Sequence, residues 1–197
     1  MVLAEAVVPK SLIWRLGVDQ YHAMIEAGIL TADDAVELLE GLLVVKMPKK
    51  PAHRAATKLL RTILEQMVRA GWYVDSQEPI TLSDSEPEPD VVVVRGDTRQ
   101  YLDRHPGPDD LGLVVEVSDS TVKRDQDVKK RAYARAGIGL YWIINLASFQ
   151  VEVYTQPGLV DGEPSYLREQ IFAVGSAIEL VIDGERWGWV AVSDILP

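Results

Sequence analysis

The chain has 197 residues, 47% of them hydrophobic, which is enough for a packed core and excludes a disordered chain. With no cysteine there are no disulfides and no thiolate metal sites, as suits a reducing cytosol. The net charge of −10 runs against any function that needs a general basic footprint, nucleic-acid binding above all, and leaves only a local basic patch for it.

No apolar run reaches the length of a membrane span, and residues 1–10 lack the basic-then-apolar order of a secretory signal, so a cytoplasmic protein is expected. One domain over residues 1–197 is the default for this length, with a helical N-terminal extension to about residue 35 and extra strands over about 157–197. Tyr21, Met24 and Ile25 recur at helical spacing and Gly28 stops the helix they predict over residues 18–27. Residues 36–47 are apolar around Glu40-Gly41 and predict a tight hairpin or bent strand pair, broken by Pro48 and Pro51. Ala56, Leu59, Leu60, Ile63, Leu64 and Met67 form a stripe of period near 3.6, a helix over residues 52–70 that ends at Gly71.

Short strands are expected at 72–74 and 78–82, followed by an acidic loop over 83–89. The unalternating Val91 to Val94 run predicts a strand buried on both faces. Pro89 has no amide hydrogen, which sets Asp90 at the entrance of that strand. A loop over 96–110 leads to a second buried strand over 111–118, then a helix over 125–136 with Gly137 after its end. Strands over 140–146 and 151–155 pair across a short turn, 156–164 reads as a Gly/Pro loop, and 166–172 and 177–182 add strands. Trp187 and Trp189 alternate as strand residues do and suit core or interface packing. The order of elements is that of a mixed α/β (α+β) sheet flanked by helices.

Two acids stand where the pattern calls for apolar residues: Asp90 beside Val91 to Val94, and Glu116 inside Leu113-Val114-Val115-Glu116-Val117. Carboxylates are rarely buried without a partner, and two beside β-branched runs suggest a shared one. A divalent cation is the simplest, since magnesium takes one or two carboxylates and keeps several waters. A structural ion pair with a lysine or arginine is the other reading. Lys129 and Tyr133 lie four residues apart on one helix face, and Gly137 turns the chain back toward the sheet, so Lys129 can reach the Glu116 strand while Lys130 points away. Two acids and a lysine on such a scaffold are the set used by metal-dependent nucleases, in which the cation makes water more acidic and stabilises phosphate charge while a lysine supports the transition state. Lys46, Lys49, Lys50, Arg54 and Lys58, continued by Arg61, form the best local basic patch, either a phosphate track or a solvated face.

Several segments together resemble the Uma-two family of restriction-endonuclease-like proteins in the PD-(D/E)XK nuclease superfamily: Val36-Glu37-Leu38-Leu39-Glu40-Gly41, Glu88-Pro89-Asp90-Val91, Val114-Val115-Glu116-Val117-Ser118, and Lys129 through Tyr133 to Gly137 with Tyr141-Trp142 after it. Tyr21 and the Met24-Ile25-Glu26-Ala27-Gly28-Ile29-Leu30 stretch fit it too, and the similarity spans roughly residues 15 to 155. The resemblance implies a restriction-endonuclease-like core with Asp90 and Glu116 as motif acids and metal ligands. The superfamily's usual lysine place is taken by Ser118, and Lys129 matches the family's helix lysine. Glu37 and His53 match accessory positions; His53 would meet a phosphate or the metal's water, or simply face solvent near a helix start. The expected function is a Mg2+-dependent endonuclease, with Mn2+ as an alternative, hydrolysing DNA and acting as a homodimer. The competing expectation is a catalytically silent scaffold binding nucleic acid or protein.

Overall fold

The computed structural model describes residue 9 and residues 12–197. The reading of residues 1–10 therefore lies, Pro9 apart, outside the described residues. α1 (Val18–Glu26) is followed by the hairpin of β1 (Val36–Leu39) and β2 (Leu42–Val45). Its turn is the expected Glu40-Gly41, both at positive φ (48° and 75°), as a two-residue hairpin turn requires. α2 (Pro51–Met67) begins on a proline at its first turn, where a missing amide hydrogen costs nothing, and ends three residues before the expected boundary.

The main sheet has six strands in the order β3 (Trp72–Asp75), β4 (Val91–Arg95), β5 (Leu111–Ser118), β6 (Leu140–Asn145), β7 (Gln150–Val160) and β8 (Glu163–Ala173). All neighbours are antiparallel except β5 and β6. A parallel pair needs a crossover, and here it is a helical segment of three parts: α3 (Val122–Arg124), a π-helical turn (Asp125–Lys129) and α4 (Lys130–Arg135). A second hairpin, β9 (Ala177–Ile182) and β10 (Glu185–Ala191), and the short α5 (Val192–Ile195) complete the described chain.

Side chains alternate across the sheet and build two cores. Val91, Val93, Val115, Val117 and Trp142 pack with Leu60 and Leu64 of α2 and with the β9–β10 hairpin. Val92, Val94, Val114, Tyr141 and Ile143 pack on the other face with Ala132 and Tyr133 of α4. The Val91 to Val94 run is thus buried on both faces, as its lack of alternation predicts. Among the described residues no helix is long and apolar enough to cross a membrane.

Two expectations are corrected. The segment 78–82 is not a strand: Ile80 and Leu82 are buried with Thr81 between them, which mimics strand alternation, but their amides bond the loop carbonyls of Pro87 and Ser85. The segment 156–164 is not a loop, because β7 and β8 continue through it to a two-residue turn at Asp161-Gly162. Pro157 is tolerated there because β6 pairs with β7 only as far as Thr155, so beyond it β7 has one neighbour. Trp187 packs edge-on against Trp72, with ring centroids 5.7 Å apart, whereas Trp189 is exposed.

Glu40 ties the first hairpin to α4. Its carboxylate accepts hydrogen bonds from Arg131 Nε and Nη2 at 2.7 and 2.8 Å and from Arg135 Nη2 at 2.7 Å. The Arg131 hydrogen bonds, with Arg135 adding, hold the Glu40 carboxyl down to about 2 against the opposing effect of burial. A depressed folded-state value stabilises the protein above the ordinary 4.5 and is lost as pH falls toward about 2. Glu40→Gln is expected to cost about 1 kcal/mol in urea unfolding at neutral pH, a figure already discounted for solvent screening. The gap to wild type should close in acid below the carboxylate range; an equal gap at both pH values would show that the pair contributes no charge-dependent stability.

Candidate active site

Asp90 stands one residue before β4. Val91 pairs with Val115, so continuing the register by one residue sets Asp90 opposite Glu116 on the neighbouring strand. Asp90 Oδ2 accepts the Val117 amide hydrogen at 2.8 Å and lies 3.1 Å from His53 Nε2, while Oδ1 lies 3.9 Å from Lys49 Nζ and takes no hydrogen bond among the described residues. His53 belongs to the first turn of α2, so the N-terminal end of that helix abuts Asp90.

Glu116 shares its face with Val114, toward the crossover helix. Its Oε1 accepts hydrogen bonds from Lys129 Nζ at 2.8 Å and from Tyr133 OH at 2.6 Å. Its Oε2 takes no hydrogen bond among the described residues. Lys129 is only 2% exposed, and its Nζ also lies 3.4 Å from Glu37 Oε2. Glu37, on β1, accepts the Glu88 amide hydrogen at 3.3 Å through that same oxygen, and among the described residues its buried Oε1 has no hydrogen-bond partner, with Arg124 Nη1 3.8 Å away.

Asp125 and Lys129 stand four residues apart at the two ends of the π-helical turn and are both buried, and Tyr133 follows four residues later beneath Glu116. Ser118, two residues after Glu116 on β5, is fully buried and donates to Asp125 Oδ2 at 2.6 Å. Thr121 donates to the same oxygen at 2.7 Å, and among the described residues the buried Asp125 Oδ1 has no hydrogen-bond partner, with Arg124 Nε 3.6 Å away. Ser118 is thus engaged with an acid from the helix, and the lysine ammonium that contacts Glu116 comes from that helix too.

Glu37, Asp90, Glu116, Asp125, Lys129 and His53 all line one small cleft of about 70 Å³. Burial first, then the negative charges of Asp125, Asp90 and Glu37, raise the Glu116 carboxyl to about 8, against the pull of Lys129. Burial acts to lower the Lys129 ammonium, but Glu116, Glu37 and Asp125 together outweigh it and hold the lysine above its ordinary value. Tyr133 is raised well above the usual phenol range, by burial first and then by Glu116. Two conditions act together in these shifts: deep burial, and four buried carboxylates set around one buried ammonium.

That donor set fits a hard divalent cation. Asp90 and Glu116 offer carboxylate oxygens from adjacent strands, and among the described residues each keeps one oxygen free of hydrogen bonds. Among the described residues no group of three or more His, Cys, Asp or Glu side chains forms a ready-made cage. Magnesium does not ask for one, since it is held by one or two carboxylates and retains its waters.

All five residues singled out from sequence line the cleft. Asp125, Tyr133 and Arg124 were not singled out for it. The four-residue step that links Lys129 to Tyr133 also reaches back to Asp125, and that was the available signal.

Residues 18–187 match the Uma2 (Uma-two) family, described as "Putative restriction endonuclease". Among solved structures, the chain is similar to a "putative nuclease belonging to DUF820" from Anabaena variabilis, with a TM-score of 0.66 and 14% identity over 87% of this chain and 96% of the other. At that identity the likeness shows a shared fold. No curated protein matches the chain in sequence. With a match over most of its length and a fold shared with that structure, the chain belongs to the Uma2 family.

Proposed function

We propose that the protein is a magnesium-dependent endonuclease that hydrolyses phosphodiester bonds of DNA, with manganese able to replace magnesium. The observation that carries this reading is that four buried carboxylates, Glu37, Asp90, Glu116 and Asp125, share the cleft with one buried cation, Lys129, and that two of those acids face each other from adjacent strands. Asp90 and Glu116 hold the metal. A cation so held stabilises charge on a phosphate and makes water more acidic. Lys129 keeps its proton and sets a fixed positive charge beside Glu116, where it can orient water or support charge on phosphate. Glu37 holds Lys129 from the β1 side, and His53 orients Asp90 through its Nε2.

The catalytically silent scaffold has one specific observation in its favour: Lys129 already contacts Glu116, so the acid has a cationic partner before any metal arrives. Plasmid nicking separates the two readings. Wild type should nick supercoiled plasmid in magnesium and stop on chelation, and Asp90→Asn, Glu116→Gln and Lys129→Met should each lose about a hundredfold or more in rate. Nicking that survives in the Asp90→Asn and Glu116→Gln variants would refute the assignment. A wild type that neither nicks nor is stabilised by magnesium would favour the scaffold.

Stability distinguishes the roles of the two charges. Lys129→Met leaves buried acids without their cation and is expected to cost about 3 kcal/mol in metal-free denaturant unfolding. Glu116 behaves in the opposite way. Its folded-state value lies above the ordinary 4.5, so its contribution is full below 4.5 and is lost as pH rises through about 8. Without metal, Glu116→Gln should therefore melt at or above wild type at the alkaline end of that window, with its advantage shrinking toward the acid end. A clear loss of melting temperature throughout the window would make Glu116 a structural ion-pair partner instead.

A further inference from the structure

Residues 41–64 contain six lysines and arginines and no aspartate or glutamate, in a chain with 30 acids against 20 basic residues. α2 displays this segment in three dimensions. Arg54, Lys58 and Arg61 recur at steps of four and three residues, so they fall on one face of the helix, and all three are exposed. With Lys49 and Lys50 they line an open groove of about 1050 Å³. Lys49 and Lys50 also line the carboxylate cleft, so the groove runs directly into it. The charges at the junction are already engaged: Lys50 Nζ lies 2.8 Å from Asp119, and Lys49 lies 3.9 Å from Asp90. Arg61 is paired along the helix with Glu65. Among the described residues, Arg54 and Lys58 have no acidic side chain within ion-pair distance, although the protein as a whole is acidic.

We infer that this groove binds the phosphodiester backbone of a nucleic acid and leads it into the cleft, an inference that rests on the nuclease reading above. Two uncommitted cations that point into a groove ending at a carboxylate site match a polyanion whose scissile group must reach that site. Arg54 and Arg61 lie about 10 Å apart along the helix axis, which is the rise of about three nucleotides of one DNA strand. The arrangement also accounts for how a protein of net charge −10 engages a polyanion: the contact is confined to one helix face, and the acids elsewhere repel the strand from other surfaces.

The test measures binding apart from cleavage. The Asp90→Asn/Glu116→Gln background removes hydrolysis. In it, fluorescence anisotropy of a short labelled DNA, duplex in one arm and single-stranded in the other, is followed across a salt series. Adding Arg54→Glu and Lys58→Glu should weaken binding about tenfold or more and make the plot of log affinity against log salt shallower by about two, one phosphate contact per residue. Arg168→Glu, an exposed site on β8, should change neither quantity. The neutral pair Arg54→Gln/Lys58→Gln, with melting checked, should show the same trend in smaller measure if the reversed charges disturb folding. Binding by the background protein that is unchanged in affinity and slope by both pairs overturns the groove and leaves the nuclease reading standing. Absence of DNA binding in the background and in wild type overturns both.

Discussion

The structure around the cleft is organised by one buried contact, Lys129 with Glu116. A buried ammonium cannot sit inside a protein alone, because an unpaired buried charge costs several kcal/mol. Each of the two residues is brought there by a different part of the fold: Glu116 by the central strand β5, Lys129 by the helical crossover between β5 and β6. The pair then draws in the rest. Glu37 reaches Lys129 from the first hairpin, and Tyr133 donates to the oxygen that Lys129 also touches. Asp125 stands at the start of the π-helical turn that ends in Lys129 and is held by Ser118 and Thr121. Burial first, and then the neighbouring acids Asp125, Asp90 and Glu37, leave Glu116 with a raised affinity for protons, an electrostatic state that a divalent cation relieves.

The surrounding architecture secures that geometry. The β4–β5 register carries Asp90 to Glu116, and the Val117 amide hydrogen fixes the Asp90 carboxylate. The parallel β5–β6 pair forces a crossover, and the crossover can only lie over a sheet face, which here is the face that bears Glu116. Glu40 clamps the first hairpin to α4 through two arginines, so the element that supplies Glu37 and the helix that supplies Lys129 are joined at a second point. On the far side, the N-terminal end of α2 brings His53 to Asp90 and sets a run of basic side chains beside the cleft.

Much of this is legible in the sequence because acids inside apolar runs break a strong pattern. Asp90 and Glu116 stand out for that reason, and the hairpin turn at Glu40-Gly41 and the two buried strands follow from equally plain signals. Lys129 is found from its four-residue step to Tyr133. Asp125 lies one more four-residue step back, yet it reads as an ordinary acid early in a helix, because its polar neighbours in the sequence do not mark it as buried. Pro157 and Gly158 suggest a loop, since what permits them in a strand is the end of β6, a fact of tertiary pairing. Ile80 and Leu82 mislead in the opposite sense: they alternate into a core without belonging to a sheet. Local chemistry is visible in the sequence, while neighbours supplied by distant segments are not.

The central claim is that the excess carboxylate of the cleft is completed by a divalent cation held by Asp90 and Glu116. Crystals of the protein grown with manganese and measured at its absorption edge address it most directly. The account predicts an anomalous peak in contact with both the Asp90 and Glu116 carboxylates, beside Lys129, and no such peak in the Asp90→Asn/Glu116→Gln protein. A cleft without anomalous density at saturating manganese, with Lys129 still seated on Glu116, would contradict it and leave the ion pair as a purely structural element.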